Sequence, residues 1–480
     1  MLAPLGRRSA SCLRLLRQAT LSQIEERFAS ALPASLFQNH PLALHCRQRI
    51  FPMSRTLWCW LWQVLQGSTS CRDVVRQVQA LFALHDAGPV DEGTSAYCQA
   101  RGRLPLTLLE AAFNASFKSA ERAAPLPAKA MLQNRPVRVV DGSGSRLSDT
   151  LANRAAFPPS DNLPAATGFP FLRLVVLFSL ASGALLAQAT GSLHVGELRL
   201  WYSLLSSLLP GDILLADRAY GHYVVAALLQ GVGVDLIATV PTRSRKVDFR
   251  RTKKHLGPHD ALFVWKKPAK PSAFLELAQW QALPKEITVR MIRISLERKG
   301  FRPQHLTVVT TLLDAALYPK TEIAATHARR WRLEMTLDDL KTTLGMEKLS
   351  CLTPALIEKE FLVFLIAHNL VRWLMAQAAN HGGVNLDCIS FKGSLDAFRQ
   401  WSHALAQRRQ RHRRTKLWRQ LLDTLVADAL PLRPGRHEPR AVKKRSKYPR
   451  LNLPRNQFKG RWSRNKRRRI ATAKRKSSLN

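Results

Sequence analysis

Acidic residues are scarce in this chain. Only 33 Asp and Glu stand against 74 Lys and Arg in 480 residues, which leaves a formal net charge of +41. A deficit this large points to a polyanionic partner. The membrane surface, the other common polyanion, needs a basic amphipathic helix or a lipidation signal, and neither is found. Cysteine is also sparse: seven residues, an odd number, with no C-x-x-C pair. That excludes the usual zinc ligand spacings and a disulfide framework, and it fits reduced thiols in a cytoplasm. Long apolar runs are missing too. Residues 174–187 are too few to span a bilayer and follow Arg173, while 361–377 contain His368, Asn369 and Arg372. No membrane span is expected. The N-terminal MLAPLGRRSASCLRLLRQ has no apolar core of secretory length, although it vaguely resembles an Arg- and Ser-rich transit peptide. Neither an internal repeat nor a long coiled coil is present.

What is there is enough apolar sequence to fold. Hydrophobic residues make up 46% of the chain, and 480 residues suffice for two to four domains with a large core. Residues 1–130 read as a helical domain: TLWCWLWQVLQ, a GSTS break, then CRDVVRQVQALFAL with Ser70 as its cap. A further helix carries Arg101 and Arg103, and short helices of this kind suit either a helix-turn-helix DNA reader or a plain bundle. From 131 to 380 the pattern becomes α/β with a mixed sheet. RPVRVVDGSG, FLRLVVLFSL, ALLAQATGS, DILLADRAYG and VDLIATV read as strands, with Ser182-Gly183 marking a hairpin. Within this region, about 242–318 is an inserted, basic, strand-rich piece. A basic helical stretch, 381–432, follows. The last 48 residues, 433–480, hold 19 Lys or Arg and a single acid, Glu438. Such a tail is expected to be disordered and to bind phosphate nonspecifically.

Two acids close apolar strands: Asp141 in RVVDGSG and Asp217 in ILLADRAYG. A carboxylate there is costly unless paired or bound to a metal. A third acid, Glu334, lies in HARRWRLEMTLDDLK, residues 327–341. Read as one continuous helix, this segment places His327, Arg330, Glu334 and Lys341 within roughly 60° of one another, beside a stripe of Leu333, Leu337, Leu340 and Leu344. As a solvated face it would carry only weak ion pairs. As a site it sets a carboxylate, suited to a metal ion, between cations suited to phosphate. Three carboxylates from two strand ends and one helix can hold two divalent ions for in-line attack on phosphorus, and oxygen ligands favour Mg²⁺ or Mn²⁺ over zinc. Asp149 in RLSDT reads as a structural or capping residue.

These segments resemble the DDE transposases of bacterial insertion sequences, in the insertion-sequence-four family with its Tyr-(2)-Arg-(3)-Glu-(6)-Lys signature. Arg330, Glu334 and Lys341 match that signature at its spacings, and His327 stands where the family has Tyr. VVDGSG and LLADRAYG resemble its first and second Asp segments, and LTPALIEKEFLVFLIAHNLVR its post-catalytic helix. The resemblance runs from about 50 to about 455. It implies a ribonuclease H-like core, two Mg²⁺ or Mn²⁺ ions on Asp141, Asp217 and Glu334, and cut-and-paste transposition by hydrolysis at the element ends and transfer of the 3′-hydroxyl to target DNA. It further implies Arg330, Lys341, His327 and Arg218 as DNA contacts. Trp265 is the candidate aromatic for stacking a displaced base, beside the commoner reading of a core or surface tryptophan. The implied partners are double-stranded DNA, both terminal inverted repeats and target, and a second copy of the chain, in a bacterial cytoplasm at the nucleoid. Alternatives of another class are a silent DNA-binding derivative or repressor, and a nuclease on the same core.

Overall fold

The computed structural model describes residues 28, 30–38, 50–67, 69–84, 88–125, 131–159, 168–241, 247–296, 304–406 and 411–431. Inside these elements the side chains of a few residues, Glu334 among them, lie outside the description. The N-terminal 1–27 and the basic tail 433–480 lie outside it as well, so the transit-like start and the disordered tail are not among the described residues.

The helical segment consists of α1 (Ser35–Gln38), α2 (Met53–Gln66), α3 (Cys71–Leu84), α4 (Ser95–Arg103) and α5 (Leu106–Ala123). Ser70 caps α3 as its sequence suggests. Its Oγ accepts from the Asp73 N–H at 3.3 Å, and the Asp73 carboxylate accepts from the Ser70 N–H at 2.8 Å. Arg101 of α4 is turned into the molecule. It is 8% exposed, with its guanidinium 5.0 Å from the Trp60 ring and 5.1 Å from the Tyr97 ring. Cation–π contact and burial of its stem make it a packing residue.

After these helices come β1 (Met131–Leu132), β2 (Arg135–Leu147), α6 (Leu151–Ala156), β3 (Phe171–Ser179), β4 (Leu185–Ser192), α7 (Glu197–Ser203), β5 (Ile213–Ala216), α8 (Tyr223–Gly231) and β6 (Asp235–Thr239). The inserted piece adds β7 (Lys254–Gly257), β8 (Asp260–Lys266), α9 (Leu277–Ala282), β9 (Glu286–Leu296) and β10 (Gln304–Thr310). The chain then runs through α10 (Lys320–Ala328), α11 (Trp331–Asp338), β11 (Lys348–Leu349), α12 (Pro354–Gly382), α13 (Phe391–Ala406) and α14 (Arg411–Ala427).

One sheet runs β4-β3-β2-β5-β6-β10-β9-β8-β7, with β1 and β11 pairing with β2. β2, β3 and β4 are antiparallel, while β5 and β6 run parallel to β2. Three antiparallel strands followed by two parallel ones, in the order 3-2-1-4-5, is the ribonuclease H-like arrangement. The insertion extends this sheet from the edge of β6 rather than standing apart, because β10 pairs antiparallel with β6. Alternation places the two faces in different cores. Val137, Val139, Leu174, Val176, Leu215 and Ile237 join α2, α5 and α12 in one, whereas Val140, Val175, Leu177, Leu214 and Ala216 join α7 and α8 in the other. The segment that resembles the post-catalytic helix, together with the apolar run 361–377, forms α12. It is long and apolar enough to cross a membrane, but 89% of its most apolar window is buried inside the molecule. Its buried Asn369 accepts from the Leu185 N–H at 2.8 Å and donates to the Leu185 carbonyl at 3.1 Å, finishing the edge strand β4.

Candidate active site

The register of β2 and β5 sets the first two acids side by side. Val139 pairs with Leu215 in parallel, so Asp141 and Asp217 each stand two residues further on and share a side of the sheet by the two-residue alternation. β5 ends at Ala216, and Asp217 begins the loop beyond it. β2 continues, and Asp141 still pairs with Val176 of β3. Both carboxylates are half-buried. Asp141 Oδ1 accepts from the Gly142 N–H at 2.8 Å, and Asp217 Oδ1 accepts from the Ala219 N–H at 2.7 Å. Burial pushes the Asp141 pKa up to about 6, with the Asp217 and Glu197 carboxylates adding to the rise; the Gly142 N–H and the Arg330 guanidinium oppose it. Carboxylates that crowd together and raise one another's proton affinity favour a cation between them.

The segment holding Glu334 is not the single regular helix expected. α10 stops at Ala328, and α11 starts at Trp331. Arg329 and Arg330 keep right-handed torsions, but their N–H groups bond three residues back, to Thr326 and His327. After Asp338 the chain widens into a π-turn, Asp339–Thr343, which contains Lys341. Each departure turns the residues beyond it about the helix axis, so the 100° spacing does not carry from His327 to Lys341. The apolar stripe survives locally, with Leu337, Leu340 and Leu344 buried. α11 runs against β2. Arg330, the residue before α11, acts electrostatically on Asp141. Glu334 lies one turn further along the same helix.

His327, in the position of the family's Tyr, has Nε2 3.0 Å from Thr239 Oγ1 at the end of β6. Burial, reinforced by Arg330, lowers its pKa to about 4, so the imidazole is neutral at physiological pH. The loop after Asp217 closes on the same strand end. A Cβ on Gly221 would lie 2.1 Å from the Thr239 carbonyl oxygen, so only glycine permits this approach. Lys341 is half-buried and Arg218 exposed. Trp265 is half-buried on β8, opposite Ile287, and packs against the second core. Asp149 pairs with Arg154 and directly precedes the Thr150 cap of α6, in keeping with its structural reading.

Two site residues were not singled out from the sequence: Glu197, the first residue of α7, and Tyr220, three residues after Asp217. The Tyr220 hydroxyl donates to Glu197 Oε1 at 2.9 Å. Their signal in the sequence is weak, an acid opening the helix that follows β4 and a tyrosine in DRAYG.

Residues 132–370 match the transposase DDE domain, and over that stretch the chain belongs to the DDE transposase family. Beyond the domain, the chain is 28% identical over 407 residues to the transposase InsG of insertion sequence element IS4 from Escherichia coli (strain K12), covering 84% of this chain and 88% of that protein. It is also similar to a piggyBac transposase solved as a synaptic complex with hairpin DNA, at 9% identity and a TM-score of 0.41, over 90% of this chain and 87% of that one.

Proposed function

We propose that this protein is a cut-and-paste transposase that hydrolyses DNA at the ends of its own element and transfers the freed 3′-hydroxyls into target DNA. The observation that carries the reading is the parallel register bringing Asp141 and Asp217 together, with Arg330, at the start of the helix bearing Glu334, acting on Asp141.

The donor set fits a divalent ion. Asp141 and Asp217 offer carboxylate oxygens that repel each other without one, and a hard oxygen set suits Mg²⁺ or Mn²⁺. Asp141, Asp217 and Glu334 would hold two such ions. Divalent ions held there supply activation of the attacking oxygen and stabilisation of the leaving one. The chain's own residues do the rest. Arg330 and Lys341 bind the phosphates on either side of the cut, where fixed cations orient the backbone for in-line attack. His327, held by Thr239 and neutral, borders the phosphate path beside Arg330 without adding a second charge. Exposed Arg218 adds a further phosphate contact. Trp265, half-buried on β8, is the aromatic that a displaced base would stack on. The +41 charge supplies sequence-independent attraction to both end and target DNA. Acting on two ends calls for two copies of the chain, working at the nucleoid.

The test is an assay with purified protein, Mg²⁺, a labelled DNA carrying the sequences that flank the gene, and a target plasmid. Cleavage followed by joining supports the reading. Binding without cleavage would make the protein a silent derivative or repressor, and cleavage without joining a nuclease.

A further inference from the structure

The ladder between β2 and β5 ends at the pair Val139 and Leu215, so no inter-strand pairing of those two strands spaces the acids that lie beyond it. Something else must hold their separation. Glu197 stands where such a support is needed. Its carboxylate lies over Gly142, the neighbour of Asp141: a Cβ at Gly142 would sit 2.6 Å from the Glu197 carboxyl carbon and 2.7 and 2.9 Å from its two oxygens. The same carboxylate accepts the Tyr220 hydroxyl at 2.9 Å. Tyr220 is fully buried and edge-on to Trp201 of α7, at 5.8 Å between ring centroids with planes 78° apart. One side chain of α7 thus touches the Asp141 segment and the Asp217 loop together. A glycine at 142 is the only residue that leaves it room.

We propose that Glu197 and Tyr220 are a positioning pair that sets the spacing of Asp141 and Asp217 for divalent-ion binding. The inference rests on the two-ion reading of the site. A buried tyrosine ring cannot shift without disturbing Trp201, so its hydroxyl fixes the carboxylate. The carboxylate in turn blocks movement of the 141–142 backbone toward α7. Glu197 also adds negative charge to a site that must attract a cation.

The test measures Mn²⁺ binding to the full-length protein without DNA, by electron paramagnetic resonance, beside thermal unfolding in EDTA. Y220F keeps the ring and removes only the hydroxyl. It is expected to weaken Mn²⁺ binding about tenfold, as loss of an outer support to a ligand commonly does, with the metal-free melting temperature little changed. E197Q keeps an oxygen for the Tyr220 hydroxyl and should lie closer to wild type than E197A. G142A should displace the same carboxylate, so G142A combined with Y220F should be no worse than the weaker single variant. Y220F binding Mn²⁺ like wild type, or effects of Y220F and G142A that simply add, would overturn the pairing. A fall in melting temperature with Mn²⁺ affinity intact would likewise reduce the pair to ordinary packing. Wild type and the D141N/D217N double variant separate the two levels: if both bind Mn²⁺ equally, the two-ion reading itself is wrong. If only wild type binds and Y220F matches it, the positioning pair alone falls.

Discussion

Replacing Asp141 with Asn should abolish cleavage and, in the absence of metal, make the protein more stable. In the wild type, burial and neighbouring carboxylates lift the Asp141 pKa from 3.8 to about 6. A tenfold change in proton affinity corresponds to about 1.4 kcal/mol, so the carboxylate would cost about 3 kcal/mol if wholly shielded, and about 1–2 kcal/mol once its partial exposure is discounted. Asn keeps an oxygen to accept the Gly142 N–H and carries no charge, so it avoids this cost. Because the folded pKa is raised, the stability linked to the Asp141 proton is fully present below 3.8 and is lost as pH rises through about 6. Wild type and D141N should therefore melt alike near pH 4, diverge between pH 4 and 6, and differ by a constant amount above that. Thermal unfolding in EDTA at pH 7.5 should show the variant about 1–3 °C higher. Added Mg²⁺ should raise the wild type and leave the variant where it was. A D141N protein less stable than wild type at pH 7.5 without metal, or a difference that does not depend on pH, would be incompatible with a buried carboxylate crowded by like charges.

D217N and E334Q should each lose cleavage while still binding the element end in a gel-shift assay; wild-type nicking by either would remove that residue from the ion site. K341A should weaken end binding and reduce the slope of log affinity against log salt by about one unit, and an unchanged slope would place Lys341 off the DNA. R290A should cost about 3–5 kcal/mol in urea unfolding, because it strands the buried Asp260 carboxylate that Arg290 holds at 2.8 and 2.5 Å. A loss below about 1 kcal/mol would show that water reaches Asp260.

Much of the sheet was legible because its strands carry their own local signals. RPVRVVDGSG, FLRLVVLFSL, ALLAQATGS, DILLADRAYG and VDLIATV became β2 to β6, and Gly183 turns the β3–β4 hairpin at φ 66°. ITVRMIRISLE became β9, but nothing local to it or to β10 told that the insertion would extend the main sheet, since that depends on β10 finding the free edge of β6. The helical wheel of 327–341 failed at two points for one reason: helical composition does not reveal where the hydrogen-bond ladder slips. Between Arg329 and Arg330 it tightens, and from Asp339 it loosens to a π-turn. At the site, Asp217 was readable as a charge at a strand end, whereas Asp141 sits inside β2, which runs on past its glycines to Leu147. Glu197 and Tyr220 were not readable, because their meeting spans 23 positions and two elements and leaves no period in the sequence. The same holds for His327 and Thr239, 88 positions apart.

Every catalytic role assigned above depends on Asp141, Asp217 and Glu334 sharing a pair of divalent ions. Anomalous diffraction from crystals of the full-length protein with Mn²⁺ and a cleaved element end would locate those ions. Two manganese peaks are expected about 3.5–4 Å apart, with carboxylate oxygens of all three residues within bonding distance. Manganese absent from these carboxylates, or Glu334 turned away while DNA occupies the site, would rule the shared ions out.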